Sequence, residues 1–454
     1  MSTENELEPM SKILLLGYHP PQLVQNIKIE AAHYRTWQFL EPLLEDGHKV
    51  CLCAGARGET GDPQLIPPTW QSQLLYNPVP FGQKGWVAQL QRIHDQFKPD
   101  CVVAVNFSHC LYVTKLRTHC PIWMDIYGDM LTIMQAAAFR ARSDRGMDTS
   151  IGFMRAVAQK GDVFSGCGLP QQHMMVGELA MVGRLNYSTF GYEFVRTVPP
   201  GSPPGRPATI PRQQPRTLLA GQGIDEDAFV VLWCGGYNTW TDVETLYKAL
   251  TSAMVQAPNL HYVSVGANTY EAPDNVYTHL RKLIDQSPYR DRFHMLGWRP
   301  WSEIPQFYQE SDVGINIDAL HYETLYGTRT RLVEMIASGL PVVTSLGAEL
   351  SYLLRDHNAA LTFAVGDWQT MGEQLVRLAQ DRTLRNIMAK TAYDFATGDL
   401  SFANTTSAIR GWVQHPKLAP DKQQQGIELR VRSFEYRIRA AMRQALWRMA
   451  AAEQ

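Results

Sequence analysis

The chain has 454 residues, of which 45% are hydrophobic and 19% are charged, and its formal net charge is -2 at pH 7. This length exceeds one ordinary hydrophobic core and predicts two globular domains, or two with appendages. The near-neutral charge gives no indication of a nucleic-acid partner, and the composition excludes a disordered or fibrous chain. We therefore expect a globular protein that acts on a small molecule.

The amino-terminal residues and the cysteines indicate a cytoplasmic protein. Residues 1–11 are predicted to be disordered, and they are acidic where a secretory signal requires positive charge. No uninterrupted apolar run reaches the roughly 18 residues that span a bilayer. The seven cysteines show no C-x-x-C pair, as expected for reduced thiols. Cys51 and Cys53 are better explained as buried strand residues than as metal ligands.

Residues 12–197 are predicted to form an α/β domain of the Rossmann type. A strand, KILLLGYH, is followed by a helix over about 31–45 and by a second strand, HKVCLCAG. DCVVAVNFS and PIWMDIYG are two further strands that end in polar residues. Because parallel strands place their carboxyl ends at one edge of a sheet, we expect ligands to bind at that edge.

Several polar side chains at this edge are candidates for contact with an acceptor. Asp125 lies in the strand PIWMDIYG, and Asp129 follows it. His109 ends the preceding predicted strand. The first loop and helix add further polar residues: Tyr18, His19, Lys28, His33 and Arg35. An Asx-type turn at Asp125 and a solvated helix face are the competing interpretations.

A stretch over residues 198–220 is predicted to link this domain to a second one. Pro and Gly are concentrated there as nowhere else, and proline disfavours central strands and helix interiors. Over residues 221–385, the strands FVVLWCGG, HYVSVGA and FHMLGW alternate with predicted helices. This alternation predicts a second doubly wound domain, and residues 386–454 are predicted to form C-terminal helices.

The first turn of the predicted second domain contains Gly235, Gly236 and Asn238, between a strand and a helix. Two adjacent glycines allow backbone amides to approach a phosphate closely. Such a turn is more often only a tight bend. The sequence therefore makes this turn a candidate phosphate contact that depends on what it faces.

Residues 322–345 carry the strongest functional signal in the chain. They follow SDVGINIDAL, which is typical of a buried parallel strand, and they contain a helix with Leu332, Val333 and Ile336 at helical spacing. Gly339 is expected to end that helix before the strand PVVTS. The polar residues of this segment thus lie between the carboxyl end of a strand and the amino end of a helix, where anions bind.

The polar residues themselves favour a diphosphate. Arg329 and Arg331 supply planar, permanently charged groups, and Thr328 and Thr330 can cap the helix or donate to the same oxygens. Glu334, one turn into the helix, is placed to accept hydrogen bonds from sugar hydroxyls. Each residue also has a simpler explanation: the arginines could be solvated, the threonines could be ordinary caps, and the acid could complement the helix dipole. These explanations do not account for the occurrence of all of these residues at one sheet edge.

This segment resembles the donor-site motif of retaining GT-B glycosyltransferases of family 4. In that family two glutamates flank seven residues ahead of a short helix that ends in a small residue followed by Gly, x, Pro, Val. Glu334 matches the second glutamate, which the resemblance implies holds the ribose, and ASGLPVVTS matches the rest. The resemblance is clear over residues 228–367 and looser over residues 12–200.

The first glutamate of the motif is missing. Tyr326 occupies its position, and the nearest acid, Glu323, lies earlier in the chain. Gly327 opens the sequence GTR where the family has glycine-aromatic-glycine, and the glycine turn lacks the family's basic residue. Phosphate binding is therefore expected to fall to Arg329 or Arg331, and the departure permits altered or lost activity.

The resemblance implies a fold and further contacts. The expected fold class is α/β, with two Rossmann-like doubly wound domains facing each other across a cleft. The turn that contains Trp298 resembles the family's base-binding turn, with a core tryptophan as the alternative. Asp125 matches the place of a histidine or aspartate beside the reacting sugar. The segment DVFSGCGLPQQ resembles an element that supports the domain interface.

The predicted activity is retaining transfer of a sugar from a nucleoside-diphosphate sugar to an acceptor hydroxyl. Asp125, Arg329, Arg331 and Glu334 are the predicted catalytic residues, and no metal or cofactor is required, since the Asp-x-Asp sequence at Asp225 is typical of a turn. A GT-B nucleotide-sugar epimerase or coupling enzyme is one alternative, and an inactive nucleotide-sugar-binding scaffold is another. The acceptor is left open among lipids, polysaccharide ends and small metabolites.

The end of the chain, LRVRSFEYRIRAAMRQALWRM, predicts a basic amphipathic helix. One apolar stripe contains Leu429, Phe434, Ile438, Met442 and Leu446. Packing against the first domain is favoured over contact with a membrane surface or with a second copy of the chain.

Overall fold

The computed structural model describes residues 10–25, 27–56, 58–205, 215–269 and 275–423. Two parallel sheets flanked by helices form two Rossmann-like domains, as the sequence predicts. Within these described ranges, no helix is both long and apolar enough to cross a membrane. The predicted amphipathic helix of the last residues and the middle of the predicted linker lie outside the described residues.

The first domain contains a seven-stranded sheet of order β3-β2-β1-β4-β5-β6-β7. Its strands are β1 Lys12–Gly17, β2 Lys49–Ala54, β3 Leu74–Pro78, β4 Cys101–Val105, β5 Ile122–Asp125, β6 Val163–Gly166 and β7 Val195–Thr197. Its helices are α1 Ala31–Glu45, α2 Trp86–Phe97, α3 Phe107–Val113, α4 Met130–Ala141, α5 Met147–Lys160 and α6 Leu169–Met181. The central strands are continuous apolar runs because helices cover both faces of the sheet.

The second domain contains a six-stranded sheet of order β10-β9-β8-β11-β12-β13. Its strands are β8 Phe229–Cys234, β9 Leu260–Val265, β10 Phe293–Gly297, β11 Val313–Asn316, β12 Val342–Leu346 and β13 Ala360–Ala364. Its helices are α7 Val243–Gln256, α8 Val276–Asp285, α9 Ile304–Glu310, α10 Tyr322–Tyr326, α11 Thr330–Ala337, α12 Glu349–Asp356, α13 Trp368–Gln380 and α14 Arg382–Thr397. The strand order reverses between β8 and β11, which opens a crevice at their carboxyl ends.

After α14 the chain returns to the first domain. The returning helices are α15 Phe402–Thr405, α16 Ser407–Gln414 and α17 Pro420–Gln423. Phe402, Ile409 and Val413 join the first domain's core, and a buried ion pair links Arg184 to Asp421. The C-terminal residues that the structure describes therefore belong to the first domain's packing.

Two local elements differ from the sequence-based prediction. His109 lies within helix α3 and does not end a strand, because Asn106 adopts φ 74° directly after β4 and turns the chain into a helix. The short helix α10 interrupts the predicted turn between β11 and α11. A helix of five residues is too short to show the periodicity by which longer helices are predicted.

Candidate active site

A cavity of about 580 Å³ lies between the two domains, at the carboxyl edges of both sheets. The residues around it come from the first loop and α1, from the loop after β5, from α4, and from four loops of the second domain. Most of the predicted donor-side residues line it: Gly235, Gly236, Asn238, Trp298, Glu323, Thr328, Arg329, Thr330, Arg331 and Glu334. Lys28, predicted on the acceptor side, also lines the cavity, whereas Tyr326 and Gly327 are outside the lining.

The glycine turn after β8 forms the wall that Arg331 approaches. Gly235 has φ 124°, and a Cβ atom at this position would lie 3.3 Å from the Arg331 guanidinium carbon. Only glycine meets both constraints without strain. The Gly235 amide is bonded to the Val265 carbonyl and the Asn238 amide to the Thr241 hydroxyl, so these two amides have protein partners.

Arg331 has the properties of an anion-binding residue. Its guanidinium lies 4.1 Å from the Trp233 ring centroid, and Nη2 donates to the Gly236 carbonyl at 2.9 Å. Its Nη1 is buried without a hydrogen-bond partner among the described residues. Burial lowers the pKa of this side chain. Arg331 is one of the cavity-lining residues, and a bound anion beside it would stabilise this desolvated cation.

Arg329 has a different environment, and the prediction that it binds phosphate does not agree with it. Its Nε donates to Asp318 at 2.9 Å, and its Nη1 and Nη2 donate to the two carboxylate oxygens of Glu323 at 3.2 and 2.9 Å. The remaining contacts are to the Thr328 carbonyl and the Thr324 hydroxyl.

These contacts neutralise Arg329 within the second domain. Burial alone would lower its pKa, but the charges of Asp318 and Glu323 raise it. The guanidinium N–H groups are directed at protein acceptors, so the side chain has no donor left for a ligand. Arg329 therefore supports the loop between α10 and α11, and it occupies both carboxylate oxygens of Glu323, the nearest acid to the missing motif position.

The amino end of α11 faces the same cavity. Helix α11 begins at Thr330 without a side-chain cap, so neither threonine caps it. Its first amides are therefore left for another acceptor. Thr328 Oγ1 is buried without a hydrogen-bond partner in the part of the chain that is described. Glu334 lines the cavity, and its Oε2 accepts a hydrogen bond from the Tyr308 hydroxyl at 3.0 Å.

Trp298 lies at the cavity rim and is not a core residue. Its side chain is 41% exposed, and the Lys28 ammonium lies 4.0 Å from its ring centroid. Lys28 belongs to the first domain and Trp298 to the second. The indole therefore offers an open aromatic face beside the cleft, and a cation from the opposite domain already covers part of it.

Asp125 does not reach the cavity, contrary to prediction. It is fully buried, and its two oxygens accept from Arg35 Nε and Nη2 at 2.9 and 2.7 Å. The Ser165 hydroxyl donates to the same carboxylate at 2.6 Å. The ion pair between Arg35 and Asp125 is thus a buried structural contact of the first domain, since neither side chain has exposed area that could contact an acceptor.

Of the other predicted acceptor-side residues, Lys28 lines the cavity, and the rest have partners within the first domain. His33 is buried in the capping box of α1 and pairs with Glu59. His109 donates from Nε2 to the Gly55 carbonyl at 3.0 Å, and burial lowers its pKa to about 3. Tyr18 packs edge-on against both imidazoles, and Asp129 caps α4. None of these four residues lines the cavity.

Tyr326 and Gly327 lie at the interface between the domains. The Tyr326 carbonyl accepts from the Cys167 thiol, and Gly327 is so enclosed that a Cβ atom would lie 2.6 Å from the Glu323 carbonyl oxygen. On the same side, the Leu169 amide donates to Glu349 of the second domain at 2.8 Å. The segment predicted to support the domain interface makes these contacts.

Sequence reasoning missed the first-domain residues that meet the second domain across the cavity. The Tyr127 hydroxyl lies 2.5 Å from Thr330 Oγ1, and Arg140 Nη1 donates to Thr239 Oγ1 at 2.5 Å. Tyr34 also accepts a hydrogen bond from the Trp301 indole at 2.5 Å. Tyr127 was the detectable one, because it follows β5 at the ligand edge, where Asp125 was chosen.

Residues 228–381 match the family model described as Glycosyl transferases group 1. No curated protein sequence matches the chain. The match covers the second domain, including the glycine turn and α11.

Solved structures extend the likeness to both domains. Sucrose-phosphate synthase from Thermosynechococcus elongatus is 15% identical with a TM-score of 0.65, covering 89% of this chain and 98% of that chain. Anabaena HepE in complex with UDP-glucose is 16% identical with a TM-score of 0.61, covering 88% and 98%. WaaG, a glycosyltransferase of lipopolysaccharide biosynthesis, is 15% identical with a TM-score of 0.60, covering 89% and 100%. The chain has the fold of GT-B glycosyltransferases.

Proposed function

We propose that the protein is a retaining glycosyltransferase that moves a sugar from a nucleoside-diphosphate sugar to an acceptor hydroxyl without a metal ion. The observation that carries the proposal is the buried Nη1 of Arg331, which has no hydrogen-bond partner in the described part of the chain. It belongs to a cavity-lining side chain beside the amino end of α11, which has no side-chain cap. Both features favour an anion at the same place.

In this proposal, the diphosphate is the leaving group. Cleavage of the bond between the anomeric carbon and the phosphate oxygen places negative charge on the departing diphosphate. Arg331 and the first amides of α11 stabilise that charge in a site of low dielectric constant, where such contacts have the largest effect. Arg329 contributes indirectly, by holding the loop that leads into α11.

The nucleoside is proposed to lie between Glu334 and Trp298. Glu334 accepts hydrogen bonds from the ribose hydroxyls, and the exposed face of Trp298 stacks on the base. HepE, which shares the fold, binds UDP-glucose. UDP-glucose is therefore the first donor to test.

The acceptor enters from the first domain. Its hydroxyl oxygen bonds to the anomeric carbon on the face that the diphosphate leaves, and the hydroxyl proton passes to the departing phosphate oxygen. Asp125 takes no part, because Arg35 and Ser165 occupy its carboxylate. This chemistry requires no protein base, and the protein acts by positioning and by electrostatic stabilisation.

The test compares Arg331→Ala with the wild type in a transfer assay with UDP-glucose and a panel of hydroxyl acceptors. We expect transfer to fall by about 100-fold or more, as for the loss of one charge-stabilising donor. Arg355→Ala is the matched control, since Arg355 is an exposed arginine of the same domain, and it should behave as wild type. Wild-type transfer in Arg331→Ala contradicts the proposal.

The occupied carboxylate of Glu323 favours a second candidate function, binding of a nucleotide sugar without transfer. Tight donor binding by calorimetry with no turnover against any acceptor would select it. Consumption of the donor without an acceptor, followed by NMR, would instead identify an epimerase.

A further inference from the structure

We propose that Tyr127 is a positioning residue that acts through Thr330, aligning the Thr330 hydroxyl with the leaving diphosphate when the two domains close. This inference rests on the proposed function and adds a first-domain residue to the donor site. In this proposal the first domain contributes to sugar transfer through Tyr127, whereas Asp125 takes no part.

The geometry that carries the inference is a direct contact between the domains at the proposed phosphate site. Tyr127 lies just after β5 in the first domain, and its hydroxyl is 2.5 Å from Thr330 Oγ1. Thr330 is the first residue of α11. Both residues line the cavity. The contact therefore joins the first domain to the helix end that is proposed to bind the diphosphate.

The Tyr127 ring is held on one face by the Arg35 side chain. The Arg35 guanidinium lies 4.6 Å from the ring centroid, and Arg35 is held by Asp125, Gln38 and the Pro199 carbonyl. Arg35 and Asp125 are both buried. A ring resting on a buried ion pair has few alternative positions, so its hydroxyl is directed at one point in the cleft.

Either hydroxyl can donate in this contact, and donation from Tyr127 to Thr330 is the direction that the proposal requires. Burial raises the pKa of Tyr127 to about 12, so its hydroxyl keeps its proton and can donate. A threonine hydroxyl has one proton and two lone pairs. If Tyr127 donates to Thr330 Oγ1, the Thr330 proton is left to donate to a phosphate oxygen at the amino end of α11.

The resulting chain from Tyr127 to Thr330 to phosphate exists only when the domains are closed. A contact made on closure stabilises the transition state more than initial donor binding, because an open enzyme can bind the nucleotide with the second domain alone. The loss of the Tyr127 hydroxyl should therefore lower kcat while it leaves nucleotide affinity nearly unchanged.

The test uses Tyr127→Phe, which keeps the ring and its contact with Arg35. We expect kcat to fall by about 100-fold and the Kd for UDP to stay within about threefold of wild type. Thr330→Val should have the same effect, the double variant should be no worse than either single variant, and Thr330→Ser should retain activity. Tyr187→Phe is the control, because Tyr187 is an exposed tyrosine of the same domain as Tyr127 and should leave kcat unchanged.

Small-angle X-ray scattering separates this inference from the proposed function. Tyr127→Phe should shift the chain toward a larger radius of gyration than wild type, whether or not any donor is turned over. Wild-type kcat in Tyr127→Phe, or additive losses in the double variant, overturn the inference even if Arg331 proves essential. If wild type transfers no sugar, an unchanged radius of gyration in Tyr127→Phe overturns it.

Discussion

At the scale of single residues, Arg329 and Arg331 show how two arginines in one motif acquire different environments. Arg329 is enclosed by Asp318 and Glu323, whereas Arg331 stacks on Trp233 and keeps one N–H group unpartnered among the described residues. The sequence predicted that the arginines, Glu334 and the glycine turn lie together. It could not distinguish the arginines, because their partners come from other strands and loops.

This difference predicts that substitution of the two arginines lowers stability by unequal amounts. Arg329→Ala leaves Asp318 and Glu323 buried without their cation, which should cost about 3–5 kcal/mol in the free energy of unfolding. Urea denaturation at neutral pH measures this loss.

Arg331→Ala is the matched comparison. It removes a desolvated cation that has no carboxylate partner in the described chain, so its loss of stability should be clearly smaller. Equal losses in the two variants would contradict the assignment of Arg329 as a structural ion-pair residue.

At the scale of elements, the long periodic segments were predictable and the short ones were not. The helix expected over residues 31–45 is α1, and the apolar runs around residues 12, 49 and 229 are β1, β2 and β8. Helices α3 and α10 are short, and α3 follows a positive φ at Asn106 that the sequence does not announce. Because of these two helices, His109 and the residues that precede α11 lie in different elements from those that the sequence predicted.

Helix α6 carries a buried acid that makes stability depend on pH. Both carboxylate oxygens of Glu178 are buried without a hydrogen-bond partner among the described residues. Burial, with a contribution from the charge of Asp129, raises the pKa of Glu178 from 4.5 to about 8. The folded state thus binds a proton that the unfolded state releases between these two values, and stability falls as the pH rises through this window.

Glu178→Gln should remove that dependence. The two proteins should unfold at similar urea concentrations near pH 4.5, and the variant should be more stable by about 1–3 kcal/mol at pH 9. Denaturation curves at pH 5, 7 and 9 measure the difference. A variant that is less stable than wild type at pH 9 would show that the Glu178 carboxylate is stabilised when ionised.

At the scale of the whole molecule, the two-domain architecture followed from the repeated alternation of strands and helices, but the contacts between the domains did not. Tyr127 with Thr330, Arg140 with Thr239 and the Trp301 indole with Tyr34 are pairs distant in sequence. Periodicity within an element contains no information about such pairs. For this reason the sequence predicted most of the second-domain residues that line the cavity, but it did not predict the first-domain residues Tyr127 and Arg140.

The return of the chain to the first domain also belongs to this scale. Helices α15 to α17 join that domain's core after α14 completes the second domain. The chain therefore returns from the second domain to the first near residue 400.

Calorimetric titration of UDP into wild type, Arg331→Ala and Arg355→Ala tests the central claim most directly, because it measures anion binding between the domains without knowledge of the acceptor. We predict saturable binding to wild type and to Arg355→Ala, and a Kd at least about tenfold weaker for Arg331→Ala. Equal affinities in all three proteins would contradict the account.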